Sequence, residues 1–282
     1  MGDLVYDVTR GDASDVSFYE HEFIPRMCPD FVIPPNILSI ELIGIGDGGK
    51  STVAEAVCSN LRQLGIECQW HREFEVGEIE LDRRIREIVL SSARDLKVED
   101  DYIFKDQLLK MVEELKLLSL LAVEESLKES IRKDGYVKGT NVVHLFERGP
   151  NDYIALSGWA LSYLEGISRK LDRKLEMDIW YDKMLFAFEK TKYFKSVALF
   201  YIDNLDVILQ RRTRQGLKHK AVMGNEDDFG SVNLGYKRWL KYFHPATNCG
   251  LLTINGENSI ENNTERLTKH ITDHFYRHNL FH

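Results

Sequence analysis

The run Gly44-Ile45-Gly46-Asp47-Gly48-Gly49-Lys50-Ser51-Thr52 carries the clearest chemistry in this chain. A glycine, four residues, then Gly49, Lys50 and Ser51 is the spacing of a loop that cradles phosphate. Glycines let the backbone come close to a polyphosphate, a following helix start offers unpaired N–H groups, and a lysine sets a point charge between the outer phosphates. Gly44, Asp47, Gly48, Gly49, Lys50, Ser51 and Thr52 are therefore expected to bind ATP, with the Ser51 hydroxyl on Mg²⁺. A glycine-rich turn without a ligand is the bland alternative. The strand before the loop and the helix after it weigh against that alternative.

Three further groups could serve the same chemistry. Glu147-Arg148 follows the apolar run Asn141 to Phe146, which puts an acid and an arginine at a strand end. Such a carboxylate can hold a water on Mg²⁺ or take a proton from an attacking hydroxyl, and the arginine forks onto phosphate oxygens. A solvated salt bridge is the alternative. The stretch from Leu209 to Lys220 holds Arg211, Arg212 and Arg214 and reads as a closing lid, about 211–229, or as a solvated basic loop. Glu73, with Glu75 close by, is a third group, an acid that helix capping would equally explain. Trp70, Phe74 and Tyr153 could stack on a base or lie in the core.

In order and spacing these segments resemble the thymidylate kinase and deoxynucleoside kinase group of P-loop kinases, over about Ile37 to Ile271. Arg72-Glu73 after the second strand, Glu147-Arg148 after the third and the arginine-rich stretch after Ile202-Asp203 are collinear with that group's landmarks. Leu252-Thr253-Ile254-Asn255-Gly256 resembles its last strand and the turn beside adenine. The resemblance implies a P-loop NTPase three-layer sandwich in which Lys50, Glu147, Arg148, Arg212 and Glu73 are catalytic. Arg211 and Arg214 would join the loop on ATP, and Ser51 and Glu147 would hold Mg²⁺.

Departures bear on the acceptor. Where thymidylate kinases carry an arginine on the central helix for the acceptor's monophosphate, this chain has Leu118 to Glu125, apolar and acidic. The loop aspartate is displaced by one position, to Asp47. These changes favour an uncharged hydroxyl over plain thymidylate. Three readings stay open: a phosphotransferase moving the ATP γ-phosphate to a nucleoside- or nucleotide-like acceptor, a kinase acting on a nucleotide within DNA or RNA, and a non-catalytic ATP-sensing module.

The elements that must position these groups follow from periodicity. Apolar runs at Ile37 to Ile43, Asn141 to Phe146, Ser196 to Ile202 and Leu251 to Ile254 read as strands, and 67–73 suggests a further one. Between them, Thr52 to Leu64, Glu78 to Leu90 and about Tyr102 to Arg132 carry apolar residues at helical spacing. Gly65 sits where a left-handed cap would end the first of these helices. Alternation of this kind predicts an α/β fold with a mostly parallel five-stranded sheet and helices on both faces. Residues 1–36, closed by Pro34-Pro35, read as an N-terminal extension, and 37–282 as the P-loop kinase domain.

A net charge of -8 argues against a broad nucleic-acid-binding surface and leaves room for a local basic cleft. The longest apolar stretch falls well short of the roughly 20 residues of a membrane span, and the start has no signal-peptide core. The four cysteines lack the pairing of a zinc site and read as buried thiols of a cytoplasmic protein. A homodimer through the long apolar stripe is a further expectation.

Overall fold

The computed structural model describes residues 33–72, 110, 117, 120–121, 124–134, 140–172, 174, 177–214 and 226–278. Glu73, Phe74, Glu75, the expected helix at 78–90, much of that at 102–132 and residues 215–225 of the lid lie outside them. So does the extension as far as residue 32.

Five strands form one sheet in the order β2-β3-β1-β4-β5, with every neighbouring pair parallel. They are β1 (Ile37–Gly44), β2 (Glu67–His71), β3 (Val142–Glu147), β4 (Ser196–Tyr201) and β5 (Gly250–Asn255). Each lies within two residues of a segment read as a strand from the sequence. All eight residues of β1 are buried. A central parallel strand is covered on both faces, which is why its sequence is almost continuously apolar.

Helix α1 (Lys50–Gln63) crosses from β1 to β2, and α6 (Ile260–Arg277) packs beside it on the same face. Val53, Val57 and Leu61 of α1 meet Leu267, Ile271 and Phe275 of α6 over Leu38, Ile40 and Leu42. The other face carries α2 (Pro150–Lys170), α3 (Met177–Lys190) and α5 (Glu226–Arg238), with Ile154, Met184 and Trp239 in its core. This is a three-layer α/β sandwich. Helix α4 (Leu205–Arg214) follows β4, so the first arginines of the expected lid are helical.

Local signals explain several boundaries. Gly65, at φ 76°, ends α1 in the left-handed conformation expected of it, and Ile66 N–H returns to Leu61 O at 3.0 Å. Ser259 caps α6 through its hydroxyl, which accepts from Asn262 N–H at 3.2 Å. None of the described helices is long and apolar enough to cross a membrane.

One expectation is overturned. Cys58 on α1 and Cys68 on β2 are joined in a disulfide, with Cα atoms 5.2 Å apart, instead of standing as separate thiols. The tight turn after α1 brings these two inward-facing residues together, and a ten-residue spacing carries no recognisable pairing motif. Cys249 remains a free, buried thiol, and burial pushes its pKa up to about 12.

Candidate active site

In a parallel sheet ligands collect at the carboxyl ends of the strands, around the point where strand order reverses. Here β1 is that point, because its neighbours β3 and β4 lie on opposite sides and later in the chain. The loop after β1 opens with Gly44 at φ 130°. A Cβ at this residue would lie 2.0 Å from the carbonyl oxygen of Phe200 on β4, so no side chain fits. The loop then rises over the sheet and enters α1 at Lys50.

Lys50 is 6% exposed, and its Nζ donates to the carbonyls of Gly44 and Ile45, each at 2.8 Å. The ammonium is thus drawn back across the loop's own mouth. Ser51 begins the exposed side of the helix, and its Oγ donates to Glu147 Oε2 at 3.0 Å. The other oxygen, Oε1, accepts from the Trp70 indole N–H at 2.9 Å. The carboxylate at the end of β3 is therefore held against the glycine-rich loop by donors on two elements. Thr52, expected on ATP, is exposed in the first turn of α1.

Arg148 sits at φ 59°, a left-handed conformation unusual for a residue with a side chain. Its Nη1 donates to Asp152 Oδ2 at 3.1 Å. The other Asp152 oxygen accepts from Gly44 N–H at 3.2 Å and from Tyr236 O–H at 2.6 Å. The Tyr236 phenol is raised well above its ordinary pKa, chiefly by burial and also by the nearby Asp152. Asn151 completes the group, with its Oδ1 accepting from Trp239 Nε1 at 3.2 Å.

Beneath this group lies Glu41, in the middle of β1 and fully buried. It accepts from Asn151 N–H at 3.0 Å, Asn151 Nδ2 at 2.7 Å and Asp152 N–H at 2.8 Å. Burial outweighs these bonds and raises its pKa to about 8. Reading the sequence for motifs passes over Glu41 and Asp152. The available signals are one acid inside an otherwise apolar strand and the Gly149-Pro150 helix start.

The lid arginines are anchored at their helical base. Arg212, 4% exposed, donates through Nε to Asp47 Oδ2 at 2.8 Å. Arg211 donates to Asp47 O at 3.1 Å and to Gly256 O in the turn after β5. Asp47 itself is left-handed, at φ 60°. These residues join the glycine-rich loop, α4 and the β5 turn into one unit. Arg214 is exposed on the far turn of α4. Glu257, next to Gly256, accepts from the N–H groups of Asp203 and Asn204, each at 3.0 Å, and so ties the ends of β4 and β5 together.

Of the two readings open for Tyr153 the structure shows the core one, and Glu124 is not an isolated charge. Tyr153 is 6% exposed and packs within the apolar core, so it offers no face for a base. The acids of the central helix do not simply present charge: Glu124 is paired with Lys190 and with Lys128. Burial acts to raise its pKa, but the bonds from both lysines prevail and hold it down at about 2. Trp70 is half-buried, and the Arg72 guanidinium lies 4.4 Å above its ring.

No family model matches the chain, and no curated protein matches it. Among solved structures it is similar to a thymidylate kinase from Ehrlichia chaffeensis, with a TM-score of 0.48 and 13% identity. That likeness covers 84% of this chain and 98% of the other.

Proposed function

We propose that this chain is an ATP-dependent phosphotransferase that moves the γ-phosphate of ATP to a nucleoside- or nucleotide-like acceptor. The observation that carries the reading is the placement of Glu147. A strand-end carboxylate is held 3.0 Å from the Ser51 hydroxyl, beside a loop whose lysine donates to the Gly44 and Ile45 carbonyls.

The residues fit the two implied groups. Hard oxygen donors, the Ser51 hydroxyl and a Glu147 carboxylate oxygen, suit Mg²⁺, which would neutralise charge between the outer phosphates. Gly49 leaves open space over the loop, since a Cβ there would meet only Arg211, at 3.9 Å. In this reading Lys50 exchanges its two carbonyl acceptors for phosphate oxygens. Arg148 and Arg212 supply positive charge toward the transferring group, and Glu147 or Glu73 receives the acceptor's proton. Arg211 and Arg214 join the lid side of ATP.

Transfer of radiolabelled γ-phosphate from ATP should be assayed against nucleosides, nucleoside monophosphates and oligonucleotides. A labelled nucleoside or nucleotide product is expected. Label only on oligonucleotides would move the acceptor into a polymer, and tight ATP binding with no product in any lane would overturn the reading.

A further inference from the structure

Glu41 is the one acid on the buried face of β1, and its surroundings are built for it. Helix α2 begins at Gly149 with Pro150 in the first turn, so the first backbone N–H groups open to an outside acceptor belong to Asn151 and Asp152. Both donate to Glu41, one to each carboxylate oxygen. Gly149 is the residue that permits this approach, because a Cβ there would lie 2.9 Å from Glu41 Cδ.

Once its backbone is held, Asp152 is free to turn its side chain the other way, and that side chain binds Gly44 N–H, Arg148 and Tyr236 together. One short path therefore runs from a strand interior to both sides of the candidate site. Glu41 fixes the start of α2, α2 aims Asp152, and Asp152 holds the first glycine of the phosphate loop and the arginine after β3.

We propose that Glu41 is a positioning residue for the phosphate site, acting through Asp152 to set the Gly44 amide and the Arg148 side chain for an anionic ligand. The part of this that concerns ATP rests on the proposed function. The part that concerns Gly44 does not.

The test is Glu41→Gln in the full chain, measured well below its melting temperature. The amide group replaces one acceptor oxygen with a donor that faces donors, while volume is kept. Ser39→Ala is the control: Ser39 lies on the same strand and face, is equally buried, and donates to Tyr193 O at 2.6 Å, away from the site. Two quantities are read, hydrogen exchange at the Gly44 amide without ligand and calorimetric affinity for MgATP. E41Q is expected to speed Gly44 exchange at least tenfold and weaken MgATP at least tenfold. S39A should lower the melting temperature and change neither quantity.

Wild-type exchange and affinity in E41Q would overturn the proposal and leave Glu41 a helix cap only. Faster Gly44 exchange with no MgATP binding even in the wild type would uphold the positioning role and sink the ATP reading. Should E41Q not fold, Gly149→Ala presses on the same carboxylate from the other side and is read in the same two ways, with the same overturning result.

Discussion

Arg212 Nε lies 2.8 Å from Asp47 Oδ2, and the two side chains are 5% and 12% exposed. A helix of the expected lid is thus fastened to the phosphate loop by a nearly buried ion pair. In a double-mutant cycle on Asp47→Ala and Arg212→Ala, each single change should cost about 2–4 kcal/mol, because each strands part of a buried charge. The coupling between them should be about 1–3 kcal/mol. Urea unfolding measures both, and a coupling near zero would mean that the pair does not join the two elements.

Lys50→Ala should remove ATP turnover by roughly 10²–10³-fold or more, as expected when a cation aimed at developing charge is lost. The fold should survive, since the sheet and both cores are made without this side chain. Circular dichroism and turnover together check this. Undiminished turnover would remove the central functional claim.

Trp70→Phe deletes the indole donor to Glu147 and keeps an aromatic ring of similar shape. A hydrogen bond to a charged group is worth about 1.5–3 kcal/mol, so kcat should fall roughly tenfold or more, while the affinity for MgATP stays near that of the wild type. A change in ATP affinity with unchanged kcat would place Trp70 outside the transfer step.

Stability should peak near pH 6.5. Burial pushes His144 down to about 3 and His274 to about 4, from an ordinary 6.5, and moves His270 in the same direction. The unfolded chain then binds more protons below pH 6.5, and stability is lost as the pH falls through that range. Glu41 acts the other way. Its carboxyl is raised from 4.5 to about 8, so the folded chain holds a proton that the unfolded chain has released, and stability is lost as the pH rises toward 8. Each net proton is worth up to about 1.4 kcal/mol per pH unit, and less at half-buried His274, where water screens the charge. Melting temperatures from pH 4 to 9 should show both limbs. E41Q should flatten the alkaline one, and its persistence in that variant would exclude Glu41 as the source.

Four of the five strands were legible as short apolar runs, with the mostly polar β2 as the exception. The loop at Gly44 to Thr52 could be placed from its spacing, and the acid at the end of β3 and the arginines after β4 from their resemblance to a known family's order. What spacing could not show is contact between residues far apart in the chain. Glu41 reads as an oddity in an apolar run until Asn151 and Asp152 are seen above it. Tyr153 reads as a stacking candidate because burial depends on the helix face, which a single aromatic next to a turn does not reveal. The disulfide between Cys58 and Cys68 escaped for a similar reason: the facing of α1 toward β2 decides it, and the cysteine count does not.

The closeness of Gly44 to Phe200 bears on when the site can exist. The glycine-rich loop leaves the ribosome well before β4, whose backbone it rests on, and β1 pairs with β3 and β4 in the sheet. A growing chain that stops before residue 200 carries the complete loop sequence with no floor under it. Contacts so distant in sequence are late and slow to form. Nascent chains should therefore gain the capacity to hold a nucleotide abruptly, on release of β4, and not gradually as the loop emerges.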